Sequence, residues 1–302
     1  MYLSFFGLEE KPFSIAPNPE YLFLSDRHKE ALAHLTFGLG DAGGFVLLTG
    51  EVGTGKTTVT RCMLEELPDT TQVAFVLNPS LSELELLASI CDELRIRYKK
   101  SDASLKNLTD KIKNRLLKNH QSGGHTMLII DEAQHLAPAV LEQLRLLTNL
   151  ETNHKKLLQI ILVGQPELQQ LLKRNELRQL AQRITARYHL LPLTEAQVFA
   201  YIQHRLHKAG TDAPIFATNS IKLIHQLTAG IPRLINLLCD RALMGAFANQ
   251  QQYVNKLIVK QAATEVLPLQ QEQEPSKITS PVMLSIAALL CITTGFALSF
   301  IF

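Results

Sequence analysis

Phe45-Val46-Leu47-Leu48-Thr49-Gly50-Glu51-Val52-Gly53-Thr54-Gly55-Lys56-Thr57-Thr58 is the stretch that decides the fold. It contains Gly50-x-x-x-x-Gly55-Lys56-Thr57, the full phosphate-binding loop pattern. Glycines at Gly50, Gly53 and Gly55 let the backbone curl until successive N–H groups, those of Glu51, Val52, Thr54 and Thr58 among them, can surround a phosphate. Lys56 reaches the β- and γ-phosphates and the Thr57 hydroxyl ligates Mg²⁺. A helix starting at Lys56 adds its positive N-terminal dipole to the same anion site. An apolar strand run leads in and an amphipathic helix with Val59, Cys62, Met63 and Leu67 leads out, which is the context the motif requires. The reading is a site for a nucleoside triphosphate with Mg²⁺.

Outward from this loop, apolar runs alternate with helical periodicity. Strands are expected over Gln72–Leu77, Thr126–Ile130, Leu157–Val163 and Tyr188–Leu191, with helices over Ser82–Leu94, Ser104–Asn119 and Leu168–Ala186 among the intervening segments. Strands this apolar, alternating with helices, imply an α/β fold with a parallel sheet covered on both faces. After Pro192 the pattern is wholly helical. Upstream, Met1–Leu24 is rich in Phe and Pro and reads as extended and irregular, and Asp26 is placed to cap a helix running to Leu39.

The third strand ends in Asp131-Glu132, where a phosphate-loop ATPase needs an acid to hold Mg²⁺ and a neighbour to polarise the attacking water. Gln165 ends the fourth strand and should lie beside it, near the γ-phosphate. Hydrolysis of this kind gains from an arginine on the γ-phosphate, often donated by a neighbouring subunit. Arg183 and Arg187, four apart, are the candidates, read as sharing a helix face. Arg233 opens a helix after Gly230-Ile231-Pro232, where a cation opposes the local dipole and asks for an anionic partner such as ATP phosphate.

The 302 residues are 46% hydrophobic, 6% aromatic and without Trp, and the net charge of +2 argues against a nucleic-acid-coating surface. Cys62, Cys91, Cys239 and Cys291 lack C-x-x-C spacing and read as reduced thiols. From Ser280 to Phe302 there is no charged residue. A helix over Val282–Phe302 would be about 30 Å long, enough to cross a hydrocarbon core. The polar stretch Leu269–Lys277 reads as the linker that detaches it.

The loop at Gly50–Thr58, Asp131-Glu132, Gln165, the arginines before a fifth strand and Gly-x-Pro-Arg in a helical lid together resemble the AAA+ ATPases. That resemblance implies a three-layer αβα core with a five-stranded parallel sheet in the order 5-1-4-3-2, a helical lid, and ATP sites completed at subunit interfaces. It favours Arg187 as the finger and gives Arg233 the lid sensor position. Met1-Tyr2-x-x-Phe5-Phe6-Gly7-Leu8-x-Glu10-x-Pro12-Phe13, Asp131-Glu132-Ala133-Gln134, Val163–Leu168 and Arg233–Leu243 are similar to the general secretion pathway protein A family, whose relatives include the ATPase of MSHA-type pilus biogenesis.

The implied layout is an N-terminal segment at 1–43, a nucleotide-binding core at 44–192, a lid at 193–267, a linker at 268–280 and a transmembrane helix at 281–302. The expected protein is a homo-oligomeric ATPase on the bacterial inner membrane. Its ATPase domain is cytoplasmic and its last helix lies in lipid, and it serves a secretion or pilus assembly protein. Secretion members carry a periplasmic peptidoglycan-binding region beyond the membrane helix, and nothing in the sequence to Phe302 corresponds to it. The competing reading is an AAA+ regulator of DNA transposition or target selection. The apolar tail and the modest net charge weigh against it, so no nucleic-acid partner is expected.

Overall fold

The computed structural model describes residues 2–16, 18–37, 44–77, 80–152 and 156–267. In chain order, α1 is Tyr2–Phe6, α2 Asp26–Phe37, β1 Gly44–Gly50, α3 Lys56–Glu65, β2 Thr71–Val76, α4 Glu83–Glu93, α5 Leu105–Gln121 and β3 His125–Ile130. Then come α6 Pro138–Leu147, β4 Gln159–Gly164, α7 Pro166–Leu171, α8 Arg178–Ala181 and β5 Ile184–Leu190. The helices α9 Glu195–Lys208, α10 Thr218–Thr228, α11 Pro232–Ala248 and α12 Lys256–Val266 follow.

The sheet is parallel and its strand order is β2-β3-β4-β1-β5, the 5-1-4-3-2 arrangement read from the other edge. β1 sits between β4 and β5 and is buried at every position. Alternate residues of one strand therefore serve opposite layers. Phe45, Leu47, Leu128, Ile130, Ile160 and Leu162 join Leu86 and Ile90 of α4, Ile112 of α5 and Leu141 of α6. Val46, Leu48, Met127, Ile129, Ile161 and Val163 face the other way, onto Ala31 and Leu35 of α2 and Val59 and Met63 of α3. Burying both faces is what makes these strands read as continuous apolar runs.

The start of β5 departs from the sequence reading. The strand begins at Ile184, so the expected helix over Leu168–Ala186 breaks into α7, a short 3₁₀ turn at Asn175–Leu177 and α8. Arg183 and Arg187 therefore do not share a helix face. Ile184, Ala186 and Tyr188 are half-buried while Thr185, Arg187 and His189 are exposed, the period-2 pattern of an edge strand.

The N-terminal segment also departs from expectation, since it is neither wholly extended nor separate. Tyr2 donates from its hydroxyl to Asp240 of α11 at 2.5 Å. The Phe5 ring meets Phe247 edge-on at 5.4 Å between centroids, and Phe13 meets Phe216 at 5.7 Å. Long-range aromatic packing orders a stretch whose local sequence has no helical periodicity. The helix cap likewise shifts by one residue: the Ser25 hydroxyl, not Asp26, accepts from the His28 amide at the start of α2.

In the lid, a capping box between Thr194 and Gln197 starts α9. Gly230, with φ of +75°, follows α10, and a Cβ there would stand 2.0 Å from the Leu193 carbonyl oxygen. Only glycine fits between α10 and α11 at that approach. Among the described residues no helix is long and apolar enough to cross a membrane. The expected linker at 268–280, the transmembrane helix at 281–302 and Cys291 lie outside the described residues.

Candidate nucleotide site

The loop after β1 is built for close backbone approach. Gly53 and Gly55 have φ of +81° and +102°, conformations that L side chains rarely adopt. A Cβ on Gly53 would lie 2.6 Å from Cβ of Arg233, and one on Gly55 would lie 2.7 Å from Nε2 of His28. The lid reaches the loop through its backbone as well, because the Arg233 amide donates to the Gly53 carbonyl at 3.3 Å. Arg233 thus stands in the first turn of α11, where its sequence placed it, and it lines the same cavity as the loop.

Lys56 is 7% exposed, and its ammonium donates to the carbonyls of Gly50 at 2.8 Å and Glu51 at 3.0 Å. Burial lowers its pKa, against the pull of the Glu132, Asp131, Glu51 and Glu167 carboxylates around it. A cation gathered among carboxylates but partly stripped of water gains from a phosphate that completes its shell.

Thr57 and Asp131 meet directly: the threonine hydroxyl donates to Oδ2 of the aspartate at 3.0 Å. Two hard oxygen donors this close together suit Mg²⁺, an ion commonly held by one or two protein groups alongside water and substrate phosphates. Among the described residues no cluster of three or more His, Cys, Asp or Glu could hold a metal by itself. The donor set thus fits an ion that arrives with its nucleotide.

Beside it, the Asp131 carboxylate accepts from the Glu132 amide at 2.9 Å, and Glu132 turns into the left-handed region with φ of +53°. That backbone is uncommon and strained for a residue with a side chain. It carries the carboxylate between two amides: Gln134 donates to its Oε2 at 2.5 Å and Gln165 at 3.1 Å. Burial works to raise the Glu132 carboxyl, but these two hydrogen bonds and the Lys56 and His135 charges outweigh it and hold the pKa below the ordinary value.

Two residues in this shell were not singled out for a role from sequence. Gln134 follows the acidic pair and comes near Glu132 only because of the left-handed turn. His28 is buried under the loop, with Nδ1 2.6 Å from the Ser25 hydroxyl and Nε2 3.1 Å from the Thr54 carbonyl. A carbonyl only accepts, so Nε2 carries the proton and Nδ1 accepts from Ser25. Burial lowers the pKa of His28, which favours this neutral form. No spacing or motif marks His28, which lies 26 residues before Thr54.

The cavity at this site has a volume of about 540 Å³. The loop, Glu132 and Arg233 line one part of it, while Ile15, Tyr21, Phe23 and Tyr201 line another. The lining thus combines anion-seeking groups with aromatic and apolar surface, the two chemistries that a nucleotide's phosphates and base require. The finger candidates stand elsewhere. Arg183 donates to the Thr148 hydroxyl at 2.8 Å and the Arg145 carbonyl at 3.2 Å. Arg187 donates to the Ala181 carbonyl at 2.7 Å and lines a separate cavity with Gln169 and His189. Because β5 begins at Ile184, Arg183 and not Arg187 occupies the position immediately before the last strand.

The profile of the AAA domain family matches residues 40–172. "General secretion pathway protein A" of Aeromonas hydrophila is 57% identical over 295 residues, which is 98% of this chain and 53% of that protein. The chain thus spans about half the length of this curated relative. Among solved structures, Cdc6p from Pyrobaculum aerophilum superposes with a TM-score of 0.65 at 20% identity, covering 85% of this chain and 70% of that one. A chain of the Drosophila ORC bound to DNA gives 0.67 at 19% identity, covering 89% and 66%. At such identities the likeness concerns the fold alone.

Proposed function

Because the chain belongs to the AAA-domain ATPases and to the family of general secretion pathway protein A, we propose that it is a membrane-tethered motor or switch that hydrolyses ATP in support of a secretion or type IV pilus-like envelope machine. The observation that carries the catalytic part is the convergence of Thr57, in the first turn of α3, with Asp131, Glu132 and Gln165 just past the ends of the adjacent strands β3 and β4. The loop and Lys56 hold the β- and γ-phosphates, and Thr57 with Asp131 holds Mg²⁺, which supplies charge neutralisation on the phosphate oxygens. Glu132 takes a proton from the attacking water as its oxygen bonds to the γ-phosphorus, and the bond to the ADP oxygen breaks. Gln165 fixes the carboxylate from the neighbouring strand end. Arg233 meets the phosphates from the lid, and Arg183 of a neighbouring copy meets the γ-phosphate from outside.

The secretion role rests on the relative's name and on its 57% identity across nearly the whole chain. The membrane role rests on the uncharged run from Ser280 to Phe302, which is long enough to span a bilayer. Calorimetry and phosphate release test the catalytic part together. Lys56→Ala is expected to lose ATP binding, and Glu132→Gln to keep binding while turnover falls about 10²–10⁴-fold. Equal turnover by wild type and Glu132→Gln would remove Glu132 as the base.

A further inference from the structure

Gln134 uses both ends of its side-chain amide. Its Nε2 donates to Oε2 of Glu132 at 2.5 Å, and its Oε1 accepts from the backbone amide of Gln165 at 3.0 Å. Gln165 is the N-cap position of α7, and no side chain of its own caps that helix. One amide therefore ties Glu132, two residues past β3, to the start of the helix after β4. Space for it is made by Gly164, where a Cβ would stand 2.7 Å from Oε1 of Gln134. Both donors, Gln134 and Gln165, converge on the same carboxylate oxygen, so Oε1 of Glu132 is the one presented to a water.

From this three-way bracket we infer that Gln134 is a positioning residue for hydrolysis. It holds the Glu132 carboxylate in one orientation, and it links that orientation to the backbone of Gln165. The inference rests on the reading of Glu132 as the base. Gln134 itself lies outside the lining of the nucleotide cavity, so its role is exerted through Glu132.

The test uses full-length protein with Gln134→Leu, which keeps bulk without the amide, and Gln134→Glu, which keeps the shape but loses the donor. In steady-state assays kcat should fall roughly tenfold in both variants, with KM for ATP little changed. Calorimetry, which needs no turnover, should find Mg·ATP bound as tightly as by wild type. In a Glu132→Gln background, Gln134→Leu should add nothing. Wild-type kcat in both variants overturns the inference, as does a loss of binding in step with kcat or a kcat loss of equal size in the Glu132→Gln background. Wild-type protein that binds Mg·ATP yet never turns it over instead sinks the hydrolysis reading on which the inference rests.

Discussion

Arg205→Met should loosen the N-terminal segment from the lid. Arg205 lies on α9, is 7% exposed, and donates to the carbonyls of Pro12 and Ser14 and to the Tyr201 hydroxyl at 2.9 Å. Its guanidinium also stands 4.9 Å from the Tyr21 ring centroid and 5.6 Å from that of Tyr201. Methionine retains much of the apolar stem contact but none of the donors. The Pro12 carbonyl and the Tyr201 hydroxyl are then buried with a partner missing, at about 1–3 kcal/mol each. Loss of the cation–π contacts adds about 1 kcal/mol. Relief from desolvating the guanidinium offsets part of this, and neighbouring terms do not add fully. The expected net loss is about 3 kcal/mol, read from urea unfolding with an unchanged m-value. Because Tyr21, Tyr201 and Arg205 line the nucleotide cavity, ATP affinity should fall in parallel. Arg205→Lys keeps the charge but not the fork and should fall between the two. An Arg205→Met protein within about 0.5 kcal/mol of wild type would refute the assignment of this cation as the tie.

Mixing Arg183→Ala with Lys56→Ala chains should restore turnover above either alone if sites are shared, whereas Arg187→Ala mixed in the same way should show no such complementation; a rate per chain unchanged on dilution to monomer would dismiss sharing altogether. Gly55→Ala should weaken ATP binding more than it weakens the fold, since its Cβ meets the His28 ring at a positive φ; equal losses of Tm and affinity on calorimetry would count against it. A chain ended at Ser276 should remain an ATPase and leave the membrane fraction, and full-length protein released by carbonate washing would remove the membrane reading.

What could be read from the sequence was what is locally encoded. The phosphate loop carries its own geometry in three glycines and a lysine, and the inner strands announce themselves because both of their faces are buried. Gln165 was readable from its place at a strand end. β5 was truncated at its start because an edge strand buries only one face, and Ile184, Ala186 and Tyr188 continue the helical periodicity before them closely enough to mask the change of period. That reading put Arg187, where the structure has Arg183, immediately before the last strand. Gln134 and His28 were missed for a different reason. One depends on a left-handed turn at Glu132 and the other on the packing of α2 under the loop, and neither leaves a mark in spacing. The N-terminal segment shows the same limit, since its order comes from aromatic partners more than 200 residues away, as with the pair Phe13 and Phe216.

Those distant partners also set the order in which the molecule can be finished during synthesis. Tyr2 bonds to Asp240, 238 residues later, and Arg205 reaches back 193 residues to Pro12. At ribosomal speeds of about 5–20 residues per second, this separation amounts to roughly 10–50 s. During that interval the rings of Phe5, Phe6 and Phe13 have no lid to enter. The sheet faces a milder version of the same delay, since β1 waits for β4 and β5 on either side of it. The residues of this segment are therefore made well before their partners and are among the last to be locked. A chaperone that shields short aromatic stretches would act on this segment, long before the nucleotide site exists.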